Sequence, residues 1–262
     1  MLSKKPQGVL CDISGVLKNS VNRVDVAIEK SVEAFQRLQE SGIPYVLCTN
    51  ESCYTTEAMA KKLNRIGFNV SADKIISPVS VIVQVIKENN NRPYVLVNEK
   101  VADEFAQFDQ TNPDIVVVGD AEDDFTYEAM NRTFRLLVGG ERKFYCLGKS
   151  KYYLDSGVLK LEVGCFIAGL EYSSQVQAEI CGKPSSAFFN LAAKMLGLSP
   201  SDVVMIGDDI DSDVGGAMNA GCQGILVKTG KYREKDAHHP TVKPTLIADN
   251  VYHAIDVILS TK

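Results

Sequence analysis

Four short stretches of this 262-residue chain each end an apolar run in groups suited to handling a phosphoryl oxygen. Gly8-Val9-Leu10-Cys11 delivers a lone carboxylate, Asp12, followed by Ile13-Ser14-Gly15, and Tyr45-Val46-Leu47-Cys48 ends in Thr49-Asn50. Ala178-Glu179-Ile180-Cys181 runs into Gly182-Lys183-Pro184, and Val203-Val204-Met205-Ile206 into Gly207-Asp208-Asp209-Ile210-Asp211-Ser212-Asp213. Phosphoryl transfer needs a nucleophile in line with the leaving group and positive charge around the transferring oxygens. Asp12 fits the first need, because a carboxylate can attack phosphorus to give an aspartyl-phosphate. Thr49 and Asn50 offer a hydroxyl and an amide to non-bridging oxygens, and the main-chain amides of Ile13 and Ser14 can complete the cradle, with Gly15 permitting close approach. Lys183 supplies a point charge for the nucleophile and the phosphoryl group together. A carboxylate beside a dianionic phosphate is repulsive, so attack requires a cation between them. Magnesium, which favours oxygen ligands, suits the acidic run at Asp208. Asp209 and Asp213 extend that run as supports for waters or for Lys183, and either of them, or Asp211, is equally able to cap a following helix.

These groups must be brought together by strand ends. A short apolar run reads as a buried parallel strand, and open α/β sheets keep their chemistry at the carboxyl edge. Ile28, Val32, Phe35 and Leu38 recur at helical spacing before Gly42, and Met59, Leu63 and Ile66 before Gly67, so strand and helix alternate. Such alternation predicts a doubly wound parallel sheet. A pause at Ser77-Pro78, a helix through Val81, Val85 and Ile86 and a linker-like patch at Asn89-Asn90-Asn91-Arg92-Pro93 precede a second α/β series. That series has strands at 94–97, 115–119 and 144–147 and helices around Phe105 and from Thr126 to Leu137. Because it lies between the second and third phosphate stretches, it reads as an inserted cap over residues 81–180, with residues 1–80 and 181–262 forming the catalytic core. Ser185 is placed to cap the helix containing Phe188, Leu191, Ala192 and Met195.

Composition sets bounds. Net charge is −5, from 33 acidic and 28 basic side chains, which argues against a general nucleic-acid binder. Apolar segments fall short of the roughly 20 residues that cross a bilayer, and Met-Leu-Ser-Lys-Lys-Pro lacks a signal-peptide apolar region. A cytoplasmic protein, with the nucleus also within its reach, is expected. The seven cysteines, an odd number without a Cys-x-x-Cys pair, read as buried reduced thiols, while Cys53, in the loop after Asn50, is either an exposed reactive thiol or an inert one like the rest. His238 and His239 lack a third ligand at a zinc spacing and read as a loop at the rim of the core. Asp123, Asp124, Tyr127 and Asn131 are cap residues that either face the substrate or form a solvated helix surface.

In their order along the chain, the four stretches resemble the haloacid dehalogenase superfamily of aspartate-nucleophile phosphatases, and the resemblance spans the whole chain. Thr229-Gly230-Lys231-Tyr232-Arg233 and His238-His239-Pro240 narrow it further. It implies a Rossmann-like core with an inserted α/β cap of the C2 type, and a homodimer joined through the cap. It also implies Mg2+ held by Asp12, the Ser14 carbonyl and Asp208, with Asp12 and Lys183 catalytic. The implied activity is a magnesium-dependent phosphohydrolase cleaving P–N bonds in phospholysine, phosphohistidine and imidodiphosphate, and less efficiently inorganic pyrophosphate. This sequence departs from most of the superfamily at Ser14, where a second Asp protonates the leaving group. That general acid is worth about 10²–10⁴-fold. Its loss should hurt least where the leaving group departs readily, as from phosphoramidates and phosphoanhydrides, and most for alkyl esters. Two other readings stay open at this level: a phosphatase for small sugar or nucleotide phosphates, and a catalytically weak phosphate-binding scaffold.

Overall fold

The computed structural model describes residues 4–21, 24–155 and 158–261. In chain order the elements begin with β1 (Gly8–Asp12), β2 (Lys18–Val21), β3 (Val24–Ala27), α1 (Ser31–Glu40), β4 (Tyr45–Cys48), α2 (Thr56–Arg65), β5 (Ile75–Ile76) and α3 (Pro78–Asn89). There follow β6 (Pro93–Leu96), α4 (Glu99–Ala102), β7 (Ile115–Val118), α5 (Tyr127–Leu137), β8 (Lys143–Cys146), β9 (Tyr152–Asp155), β10 (Val158–Leu161), α6 (Val163–Ser174) and β11 (Ala178–Ile180). The chain closes with α7 (Ser186–Met195), β12 (Val203–Gly207), a π-helix (Ile210–Gly215), α8 (Gly216–Asn219), β13 (Gln223–Val227), β14 (Leu246–Ala248) and α9 (Val251–Ser260). No described helix is long and apolar enough to cross a membrane.

Two compact units divide these elements: Met1–Thr49 with Thr56–Ile76 and Lys183–Lys262, and Asn50–Thr55 with Ser77–Gly182. The first is built on a six-stranded parallel sheet ordered β14-β13-β12-β1-β4-β5. Strands β1, β12 and β13 are buried along their whole length, which is why their sequences are continuous apolar runs rather than alternating ones. From β1 the chain proceeds to β4 and β5 on one side and later through β12 to β14 on the other. The order therefore reverses between β1 and β12, and at such a switch point the loops leaving adjacent strands diverge and open a crevice at their carboxyl ends. Helices α1 and α7 seal the sheet with Ala34, Phe35 and Leu38, and with Phe188, Phe189, Ala192 and Ala193.

The second unit has its own four-stranded parallel sheet, ordered β11-β8-β7-β6, with β7 wholly buried. Val116, Val118, Leu137, Phe144, Ile167 and Leu170 form its core. An antiparallel hairpin, β9–β10, exposes Val158, Leu159 and Leu161.

Several local readings of the sequence differ from the structure. Residues 50–55 pack with the second unit although they directly follow a core strand. Ile28 precedes α1 rather than opening it, because its amide donates to the Leu17 carbonyl at the foot of the β2–β3 hairpin. Asn89–Pro93 is not a linker: Asn90 ends α3 in a left-handed turn (φ 53°), and the Asn91 amide group and the Arg92 main-chain amide both donate to Asp114. The helix around Phe105 is one turn of α4 continued by a 3₁₀ turn, Asp103–Phe105. Ser185 occupies the cap position of α7 without a side-chain capping bond. Helix α6 escaped periodicity because it is apolar nearly all round, with Glu171 its only charged residue.

Candidate active site

Asp12 ends β1, and its register neighbour on β4 is Cys48, so Thr49 leaves the sheet one residue beyond the same level. Across the switch point Cys11 is level with Ile206, which brings Gly207 and Asp208 out at that edge too. Three strand ends thus converge. Lys183 follows β11 and opens the chain's return to the first unit, and its ammonium lies 2.5 Å from Asp12 Oδ1 and 2.6 Å from Asp213 Oδ1. Asp213 reaches this position from the π-helix, a helix type that is rare and concentrates at functional sites.

All four groups are out of water, with Asp12 6%, Lys183 5%, Asp208 2% and Asp213 1% exposed. One ligand oxygen from each of Asp12, Asp208 and Asp213 lies within 4.8 Å of the others. Three carboxylates against one ammonium leave the cluster with excess negative charge in a poorly solvated place. Burial, then the Asp213 charge, push the Asp12 carboxyl up to about 8 despite Lys183. Burial, then Asp213, likewise push Asp208 up to about 6. For Lys183 burial works the other way, but the Asp12 and Asp213 carboxylates outweigh it and hold the ammonium protonated well above its ordinary value. A cluster of buried oxygen donors with unneutralised charge fits a hard divalent cation, which would remove the repulsion that raises those carboxyl groups.

The surroundings hold the carboxylates in place. The Lys231 amide donates to Asp208 Oδ2 at 2.7 Å, and the Thr229 hydroxyl donates to the Gly15 carbonyl at 2.5 Å. Asp209 accepts from the amides of Asp211 and Ser212, capping the π-helix, and its other oxygen meets the Lys231 ammonium at 3.1 Å. Burial alone would raise the Asp209 carboxyl; the Ser212 amide and Lys231 outweigh it and hold it below the usual range. Of the two acidic residues read as supports, Asp213 therefore contacts Lys183 and Asp209 is the cap. Asp211 is exposed, 3.4 Å from His239 in the loop after a 3₁₀ turn, Glu234–His238.

Residues Asp12, Lys183, Asp208 and Asp213 are thus brought together, and Ile13 is buried while Ser14 is exposed in the loop that follows Asp12. Thr49 is buried, its amide donating to the Ile76 carbonyl. Asn50 belongs to the second unit, where its side chain lies against Gly182. In that unit Cys53 is half-buried with its thiol directed at Asp120, and burial, then Glu51 and Asp120, push the thiol well up, away from reactivity. Asp123 and Asp124 are exposed on a 3₁₀ turn and Tyr127 is 88% exposed at the start of α5, with the Asn131 amide donating to its carbonyl. Sequence reasoning gave Thr229 and Lys231 no role at the site, since neither a Thr-Gly nor a surface lysine signals a bond to Gly15, 214 residues earlier, or to Asp208, 23 residues earlier.

Comparison with known proteins gives the same outline. The sequence matches the haloacid dehalogenase-like hydrolase family over residues 9–111 and a HAD-hydrolase-like family over residues 180–254. It is 41% identical over 260 residues to phospholysine phosphohistidine inorganic pyrophosphate phosphatase of Danio rerio, covering 99% of this chain and 96% of the relative. Identity to the protein of that name from Homo sapiens is 42% over 254 residues, covering 97% and 94%. Among solved structures, p-nitrophenyl phosphatase from Archaeoglobus fulgidus superposes with a TM-score of 0.86 at 22% identity, over 97% of this chain and 99% of that one. NagD from E. coli K-12 gives 0.85 at 22% identity, over 95% and 98%, and both share the fold. With relatives this similar along nearly its whole length, and with family matches over residues 9–111 and 180–254, the chain belongs to the haloacid dehalogenase-like hydrolases.

Proposed function

We propose that this chain is a magnesium-dependent phosphohydrolase that cleaves P–N bonds, in phospholysine, phosphohistidine or imidodiphosphate, and inorganic pyrophosphate less efficiently. The observation that carries the proposal is the Lys183 ammonium between Asp12 and Asp213, which aims a carboxyl group at a strand end while balancing only part of the local charge, the rest being left for a cation. The names of the relatives support the substrate class.

Asp12 acts as nucleophile: a carboxylate oxygen bonds to phosphorus as the bond from phosphorus to the leaving nitrogen or oxygen breaks, giving an aspartyl-phosphate that water then hydrolyses. Lys183 fixes the carboxylate by its bond to Oδ1 and offsets charge on the transferring oxygens. Thr49 and the amides of Ile13 and Ser14 receive those oxygens. Asp12, the Ser14 carbonyl and Asp208 would hold Mg2+, which when bound supplies charge neutralisation between the carboxylates and the phosphoryl group. In the nucleophile loop the Ile13 carbonyl accepts from the amides of Leu17 and Lys18, and the Gly15 carbonyl accepts from the Thr229 hydroxyl, an arrangement that suits the Ser14 carbonyl between them to ligation. Ser14 brings no carboxylic acid to the leaving group. A protonated phosphoramidate nitrogen departs as a neutral amine without one, and a phosphate leaves as a stabilised anion, whereas an alkoxide needs a proton. Substrate preference follows from that difference.

Phosphate release from imidodiphosphate, pyrophosphate and an alkyl phosphate, each with and without magnesium, tests the proposal. Faster release from the first two that disappears with chelator is expected; a preference for the alkyl ester would overturn it. The exposed apolar residues of β10 support a homodimer joined through the second unit, which sedimentation at micromolar concentration would detect. All seven cysteines are free, which supports a reducing compartment such as the cytosol.

A further inference from the structure

We infer that the Thr229 hydroxyl is a positioning group for Asp208, acting through the turn that follows it; the inference rests on the assignment of Asp208 to the cation. Residues 229–232 form a tight turn, closed by the Tyr232 amide donating to the Thr229 carbonyl at 3.1 Å. Gly230 takes the left-handed conformation inside it, at φ 57°. On the outer side Arg233 Nη1 donates to the carbonyls of Lys231 at 2.9 Å and Tyr232 at 2.8 Å. The turn is therefore stiff, and wherever its first residue is anchored its third follows. Its first residue, Thr229, is anchored on the carbonyl of Gly15 in the nucleophile loop, and its third, Lys231, donates its amide to Asp208.

The two loops touch main chain to main chain. A Cβ on Gly230 would lie 2.6 Å from the Gly15 Cα, and a Cβ on either glycine would overlap the Asp208 carboxylate. Gly15 is also left-handed, at φ 89°. Two glycines in left-handed turns thus permit one close approach, and Thr229 is the only side chain that bonds across it among the described contacts of these loops. Asp208 needs such a hold, because Asp12 and Asp213 repel it and would favour rotation away. An amide on one carboxylate oxygen stops that rotation and leaves the other oxygen for the cation. A hydrogen bond to a charged group contributes more than a neutral one, so a small displacement of the turn is costly to Asp208.

Calorimetric titration of Mg2+ into wild type, Thr229→Val and Thr229→Ser tests this. The valine variant keeps the shape and loses the hydroxyl; serine keeps the hydroxyl. We expect Thr229→Val to bind Mg2+ about tenfold more weakly and to lower kcat at a given subsaturating Mg2+ concentration, with KM for imidodiphosphate at saturating Mg2+ within about twofold of wild type. Thr229→Ser should recover to within about threefold. Gly230→Ala, which puts a Cβ against Asp208, should weaken Mg2+ binding further, and melting curves in chelator identify any variant that loses the fold. Thr229→Val binding Mg2+ as wild type does, or serine failing to rescue a folded valine variant, would overturn the inference while leaving the active-site assignment standing. Absence of Mg2+ binding by wild type would overturn both.

Discussion

The Lys183 ammonium and the Asp12 carboxylate meet 2.5 Å apart, although 171 residues and the whole of the second unit separate them in sequence. Breaking a buried ion pair by removing one partner costs about 3–5 kcal/mol, because the other charge is left unpaired. Lys183→Met should therefore abolish turnover and also lower the melting temperature by several degrees, while Asp12→Asn, which leaves Lys183 paired with Asp213, should destabilise less. Thermal melting of both variants in chelator checks the order. Equal melting temperatures would place the stabilising charge balance elsewhere.

Without metal, the acidic cluster makes stability fall as pH rises. Asp12 and Asp208 are raised to about 8 and about 6, above their unfolded values near 4, so across that interval the folded chain binds more protons than the unfolded one. Their contribution is present in full below pH 4 and is lost as pH climbs through 6 and then 8. Melting in chelator at pH 5, 6.5 and 8 should show this decline beneath the response of the other groups. Asp208→Asn should flatten its lower part.

Magnesium should reverse the trend, since the cation binds the ionised cluster of the folded state. At a hundred times its dissociation constant a ligand adds about 2.7 kcal/mol, which is a rise of several degrees for a chain of this size. The increment should grow from pH 5 to pH 8 as protons cease to compete, and should shrink sharply in Asp208→Asn. A melting temperature indifferent to magnesium at pH 8 would remove the cation from this cluster.

Ser14→Asp restores a carboxyl beside the leaving group. The ratio of kcat/KM for an alkyl phosphate over that for a phosphoramidate should rise by about tenfold or more, up to the 10²–10⁴-fold that general acid catalysis provides. Because the added charge weakens binding of both anionic substrates, the ratio and not either rate is the measure. A flat ratio in a variant that still binds magnesium would assign leaving-group preference to the second unit.

The parallel core was legible because β1, β4, β12 and β13 are buried, so each is an apolar run of four or five residues ending in a polar group at one common edge. The same logic put Asp12 and Asp208 at that edge, whereas Lys183 follows β11, a strand of the second unit's sheet, and was marked only by its Gly-Lys-Pro setting. The division of work between Asp209 and Asp213 emerges only in the structure, where Asp209 caps the π-helix and Asp213 reaches Lys183 from within it. The β2–β3 hairpin was hidden because Val24 and Val26 point outward and Lys18 and Asp25 pair across it, leaving no buried stripe to read. Thr229 was hidden for a different reason: its partner is a main-chain carbonyl, which has no side-chain signature.

The central claim is that Asp12 carries the phosphoryl group. Wild-type enzyme mixed with imidodiphosphate and magnesium, quenched in acid during turnover and digested, should yield a peptide containing Asp12 that is heavier by one phosphoryl group, and Asp12→Asn should yield none and release no phosphate. A phosphoryl group found on another residue, or turnover retained by Asp12→Asn, would contradict the account.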